Sequence, residues 1–230
     1  MARLLIHVEG QTEETFVNEV LRVHLESKGY ESVSARIMGN ARLRRRRGGV
    51  RAWPTVRKDI INHLREDEGC VATTIVDYYG LPQKGADAWP GRANASGSTA
   101  SRKASRVEDA LLQDLAGHIG AKFDRNRFVP FVVMHEFEGL LFSDCAAFGN
   151  GIGQPDLEPD FRRIREKFKT PEDINDSPDK HPSKRVEDLV PGYEKPLLGT
   201  LAVLEIGLRR IRDECPHFNR WLERLESLVR

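Results

Sequence analysis

Leu4–Leu5–Ile6–His7–Val8–Glu9–Gly10–Gln11–Thr12–Glu13–Glu14 is the stretch from which the fold is read. The short, largely apolar run predicts a strand covered on both faces. Glu9–Gly10 predicts a tight turn bearing a carboxylate. Thr12 is the expected N-cap, and Glu13 and Glu14 suit the positive end of the helix that follows. Phe16, Val17, Val20, Leu21 and Leu25 then recur at helical spacing, and Gly29 ends the helix.

The same alternation continues along the chain. Glu31 to Met38 reads as a second strand. Trp53–Pro54 opens a helix with Val56, Ile60, Ile61 and Leu64 on one face. Cys70 to Val76 is an apolar strand ending at Asp77. Residues 78–104 form a long Gly-, Ala- and Ser-rich loop, a length usually kept for function or disorder. Ser105 to Ala116 is helical, and Arg127 to Met134 is a further strand leading into His135–Glu136–Phe137–Glu138. Leu197–Arg212 and Pro216–Val229 close the chain as amphipathic helices, with the stripe Leu201, Leu204, Leu208 and Ile211 expected to pack on the sheet rather than to form a dimer face. Strands alternating with helices imply an α/β fold with a mostly parallel sheet. Residues 1–148 form the expected core, and residues 149–230 a helical extension packed on it.

Composition narrows the function classes. The 230 residues are 39% hydrophobic and 31% charged, which suits a globular chain with a real core. No apolar run approaches the roughly 20 residues that span a bilayer, and no signal-peptide pattern opens the sequence. Cys70, Cys145 and Cys215 are odd in number and far apart, which argues for a reducing cytoplasm and against a disulfide framework. There is no HExxH zinc spacing and no GxxxxGK[ST] phosphate loop.

Net charge is only +1, but residues 42–51 carry six arginines. That run is either a solvated charged loop or a clamp on a phosphate backbone, with Arg44, Arg45, Arg46, Arg47 and Arg51 as the contact residues. Trp53, Tyr78 and Tyr79 are candidates for stacking on bases, or else packing residues. His7 is expected to be a core or subsite residue.

Three predicted strands end at acidic residues: Glu9, Asp77 and the pair Glu136/Glu138. In a parallel sheet these ends share one edge, where open α/β folds place their sites. Glu13, four residues after Glu9, can face the same crevice. Carboxylates converging on one edge repel one another unless a cation lies among them, and hard oxygen ligands suit Mg²⁺ or Mn²⁺.

Glu9–Gly10–Gln11–Thr12–Glu13–Glu14 after an apolar strand resembles the first motif of Toprim domains, in the form found in the overcoming-lysogenization-defect (OLD) nucleases. Val76–Asp77–Tyr78–Tyr79–Gly80 resembles the second motif, and His135–Glu136–Phe137–Glu138–Gly139–Leu140–Leu141–Phe142 the third. With Pro182–Ser183–Lys184–Arg185, Tyr193–Glu194–Lys195 and Cys215–Pro216–His217–Phe218, the chain is similar over nearly its full length to small stand-alone Toprim proteins, long known only as a domain of unknown function.

The resemblance implies a Toprim-like, Rossmann-like fold and metal-dependent phosphodiester cleavage. Glu9, Asp77, Glu13 and Glu138 would be the Mg²⁺ or Mn²⁺ ligands, with Glu9 as an alternative general base. Lys195, Lys184 and Arg185 would stabilise the transition state or leaving group, or else be ordinary surface cations. The implied partners are nucleic acid and a separate ABC/SMC-type ATPase, in an anti-phage or mobile-element setting; DNA is the default substrate, and tRNA is chemically equivalent. The sequence departs at one position: Tyr79 stands where the Toprim Asp-x-Asp motif has its second carboxylate. Glu138 is the first choice to replace it, and Glu136 a helix cap or an outer group.

Overall fold

The computed structural model describes residues 2–38, 50–94, 99–175, 177 and 179–229. Strand β1 (Arg3–Val8) leads into α1 (Gln11–Phe16), which continues through a π-helical turn (Val17–Leu21) into α2 (Arg22–Lys28). Gly29, at φ 121°, ends that helix in a conformation side chains rarely adopt. Then come β2 (Ser32–Ile37), α3 (Trp53–Glu66), β3 (Cys70–Asp77) and α4 (Ala100–Ile119).

The sheet is parallel, in the order β2-β1-β3 and then a short strand at Phe128–Val129, and a further short strand at Val132–Val133 also pairs with β3. Val8 lies beside Ile37 on one side and Ile75 on the other, so β1 sits centrally. The chain is therefore α/β, with a mostly parallel sheet flanked by helices and closed by C-terminal helices.

The expected strand over 127–134 is two short ones, β4 (Phe128–Val129) and β5 (Val132–Val133). Pro130 has no N–H to give the ladder. Thr74 Oγ1 bridges the gap, donating to the Phe131 carbonyl at 2.9 Å and accepting from its N–H at 3.0 Å.

Alternation along the strands sorts the core into two layers. Leu4, Ile6, Val8, Val71 and Ile75 face one helical layer with Phe16, Phe131, Phe218 and Trp221. Cys70, Ala72 and Val76 face the other with Trp53, Val56, Ile60, Val107 and Leu111.

After β5 the chain is helical: α5 (Glu138–Leu141), α6 (Cys145–Gly151), α7 (Glu158–Arg165), α8 (Pro182–Leu189), a π-helical turn (Lys195–Gly199), α9 (Thr200–Glu214) and α10 (Pro216–Ser227). Helix α10 lies against the sheet. The Trp221 indole N–H donates to Thr73 Oγ1 at 2.9 Å, and its ring stacks on Phe131 at 4.5 Å.

The expected stripe on α9 is half corrected. Ile211 is buried and Leu208 packs on the core, but Leu201 and Leu204 are 44% and 43% exposed, and Ala202, Val203 and Ile206 take the inward positions. Gly207 (φ 74°, ψ 157°) breaks the helix and rotates the face presented before it. Among the described residues no helix is long and apolar enough to cross a membrane.

Candidate active site at the carboxylate edge

Parallel pairing brings the strand ends together at one edge. Glu9 follows β1 directly, Asp77 ends β3 opposite Val133 of β5, and Glu138 opens α5. The acids are tied to one another by backbone donors. The Asp77 N–H donates to Glu9 Oε2 at 3.3 Å, and the Phe137 N–H donates to Asp77 Oδ1 at 2.9 Å. The N-cap of α1 is Gly10, not Thr12, because Glu13 folds back and its Oε2 accepts the Gly10 N–H at 2.9 Å. A Cβ at position 10 would stand 3.1 Å from that oxygen, so glycine leaves room for the contact. Thr12 instead turns inward, and its hydroxyl donates to the Lys195 carbonyl at 3.3 Å.

Glu9, Asp77 and Glu13 thus each have one oxygen fixed by a backbone N–H. The partner oxygens Glu9 Oε1, Asp77 Oδ2 and Glu13 Oε1 have no hydrogen bond among the described residues.

Burial dominates the electrostatics. It pushes Glu9 up to about 7, against the Asp77 N–H and Lys195, with Glu138 and Glu136 adding repulsion. Burial and then Glu9 push Glu13 to about 7. Burial takes Glu138 to about 7 against the pull of Lys195. Asp77 is raised well above the carboxylate range by burial and by all four glutamates. Lys195 Nζ lies 3.4 Å from Glu138 Oε1. Burial disfavours its ammonium form, but Glu138, Glu136 and Asp77 together raise it.

Glu136 behaves differently. Its Oε2 accepts the Ser183 N–H at 2.8 Å and lies 3.1 Å from His181 Nδ1. Burial is opposed by Lys195, Ser183 and His181, which hold it below the usual value. It ties the start of α8, whose N-cap is His181, to this edge. Lys184 points elsewhere: its Nζ pairs with Asp188 at 2.8 Å, one helical turn along α8. The Arg185 guanidinium donates to the Lys180 carbonyl and to Asn175. Arg44, Arg45, Arg46 and Arg47 lie outside the described residues, and the Arg51 carbonyl accepts the Trp89 indole N–H at 2.8 Å.

Two of the three aromatic candidates are packing residues. Trp53 is buried against Trp89, and Tyr78 is buried beneath the Arg92 guanidinium, 3.8 Å from its ring centre. Tyr79 is 37% exposed and stacks on His181, with ring centres 5.0 Å apart. Sequence reasoning passed over His181; Pro182 at the first turn of α8 is the signal that places it at a helix start. His7 is a core residue facing His63 at 5.7 Å, and burial lowers it to about 3.

A family model described as a domain of unknown function (DUF4276) matches residues 8–226. The chain belongs to the DUF4276 family. The match takes in every carboxylate of the edge together with His181 and Lys195, so the site of this DUF4276 chain lies wholly inside the family region. No curated protein and no solved structure matches the chain.

Oxygen-only donors on a buried edge fit a hard divalent cation. Among the described residues no three of these side chains form a ready-made ion cage. Glu9, Asp77 and Glu13 each keep one oxygen without a backbone contact, and these are the atoms such an ion would need.

Proposed function

We propose that this edge binds Mg²⁺ or Mn²⁺ and hydrolyses a phosphodiester bond in nucleic acid. One observation carries the reading: Glu9, Glu13, Asp77 and Glu138 are gathered at one sheet edge and all held above the ordinary carboxylate range by burial and mutual repulsion. A divalent cation removes that repulsion and returns the acids to their charged form.

Glu9 and Asp77 would hold the principal ion, and Glu13 and Glu138 would complete the set or hold a second one. The ion, when bound, lowers the pKa of a coordinated water and neutralises charge developing on the phosphoryl oxygens. Lys195 presents its ammonium beside Glu138 to a phosphate oxygen. Glu9 is the alternative proton acceptor for the attacking water. The arginine run of residues 42–51 would follow the backbone of the bound strand. The Toprim resemblance supports this reading and extends it to a separate ABC/SMC-type ATPase partner and a defence role, and the three scattered cysteines favour a cytoplasmic setting. ATP would enter through that partner, since the sequence carries no phosphate-binding loop.

Tyr79, in place of a second motif carboxylate, favours one alternative: a module that binds nucleic acid or its ATPase without cleaving. Purified protein is to be incubated with linear DNA, plasmid and tRNA in Mg²⁺ or Mn²⁺, with and without the ATPase, and Mn²⁺ binding followed by calorimetry. Hydrolysis predicts that Glu9→Ala and Asp77→Ala each abolish Mn²⁺ binding and reduce cleavage at least ~100-fold, the scale of losing a group that stabilises transition-state charge. Nucleic-acid binding that survives both substitutions, with no cleavage in any condition, selects the binding module.

A further inference from the structure

We propose that Tyr79 and His181 form a stacking platform for an unpaired nucleobase beside the carboxylate edge. The platform rests on the reading of that edge as a phosphodiester site, and it deepens it by naming the substrate class as single-stranded or locally opened nucleic acid.

The geometry begins at the turn after β3. The Gly80 N–H donates to the Asp77 carbonyl at 3.2 Å, and the Tyr79 N–H donates to the His135 carbonyl at 3.0 Å. A Cβ at Gly80 would lie 3.0 Å from Val50 Cγ2 and 3.7 Å from Glu9 Oε1, so the turn is pressed against the site. It sends the two tyrosines in opposite directions. Tyr78 enters the core at 1% exposure, while Tyr79 turns outward at 37%.

The outward ring is not loose. His181 covers one face at an interplanar angle of 24°. That imidazole is itself set by Glu136, whose Oε2 lies 3.1 Å from Nδ1 and also accepts the Ser183 N–H. The pair is therefore anchored twice to the carboxylate edge: Tyr79 stands two residues after Asp77, and Glu136 two residues before Glu138. Tyr79 Oη has no hydrogen bond among the described residues, so nothing there commits the ring to the protein interior.

A phosphodiester seated at this edge carries a nucleobase on each side. A flat, pre-oriented ring one turn from Asp77 offers one of those bases a stacking partner, and any base serves because every base has a π face. A base held inside a duplex cannot reach the ring without leaving its own stack. The position where the resemblance expects a carboxylate thus acquires a binding role in place of a metal ligand.

The test is equilibrium binding in a chelator, where cleavage cannot intervene, by fluorescence anisotropy. The probes are a short labelled thymidine homopolymer, a strand of the same length made of abasic sites, and a blunt duplex. The platform predicts that the wild-type chain binds the thymidine strand about tenfold tighter than the abasic one, the scale of one base–aromatic stack. Tyr79→Ala erases that ratio, Tyr79→Phe keeps it, and His181→Ala narrows it, with melting temperatures confirming that each variant is folded. A ratio unchanged in folded Tyr79→Ala overturns the platform, as does equal binding of the three probes or binding of none. Metal-dependent cleavage without any Tyr79 effect removes the platform alone. A Tyr79-dependent ratio without cleavage removes the hydrolase reading alone.

Discussion

Glu9, Glu13 and Glu138 are pushed by burial toward their neutral form in the folded chain. Burial raises each from 4.5 to about 7. Between those two values the folded state binds more protons than the unfolded one, so stability falls as pH rises through that window. Glu136 and Asp144 shift the opposite way at or below the ordinary carboxylate range, and His7, lowered by burial from 6.5 to about 3, gains stability as pH rises to 6.5, one group against three glutamates. In a chelating buffer the melting temperature should therefore drop as pH climbs from 4.5 to about 7, and Glu138→Gln should flatten the fall. Mg²⁺ should raise the melting temperature most above the window, where Glu9, Glu13 and Glu138 are charged. A metal-free melting temperature that stays level or rises with pH contradicts this account of the edge. At this scale the sequence was legible wherever a residue's position followed from a strand end, as for Glu9, Asp77 and Glu138. It was not legible where the particular partner a side chain takes decides its role: Glu13 turns back three residues to Gly10, Lys184 reaches four residues on to Asp188, and His181 meets Glu136 across 45 positions.

Elements were legible where one period runs unbroken. The apolar spacing from Val56 to Leu64 and the run from Cys70 to Val76 correspond to α3 and β3. Reading failed where a single residue interrupts the period. Pro130 divides the last strand, and Gly207 turns the face of α9, which is why Leu201 and Leu204 were assigned inward and stand outward. Gly207 gives an element-scale prediction. Its φ of 74° with ψ of 157° lies in a region that is essentially glycine-only, while a Cβ there meets nothing within 4 Å. Gly207→Ala should thus cost about 1–3 kcal/mol through backbone strain alone. Denaturant unfolding measures it, and a loss well under that range would mean that the break is not held by this residue. Gly199→Ala offers a steric contrast: its Cβ would lie 3.2 Å from Tyr193 Oη and 3.3 Å from Thr12 Cγ2, so the cost there comes from crowding.

On the scale of the molecule, the sheet and its carboxylates lie before residue 149, but the chain beyond it completes both core and site. Lys195 comes from the later segment, as do the Ser183 N–H that fixes Glu136 and the Thr12 contact on the Lys195 carbonyl. One apolar cluster joins Leu4, Ile6 and Phe16 to Phe218, Trp221 and Leu225. Removing the later helices would expose Phe16, Phe131 and the Leu4–Ile6–Val8 face to water, at about 25 cal/mol for each Å² of apolar surface. A fragment of residues 1–148 should accordingly lack fixed packing, with weak near-ultraviolet circular dichroism and no cooperative melting transition. In the full chain, Trp221→Ala removes the stack on Phe131 and the donor to Thr73, and should cost about 3–5 kcal/mol. Its unfolding, followed by fluorescence and by far-ultraviolet circular dichroism, should still give coincident transitions, because the sheet and closing helices share one core. A fragment that melts cooperatively by itself, or two separated transitions in the full chain, would show that the carboxylate edge is built on a sheet able to stand without its closing helices.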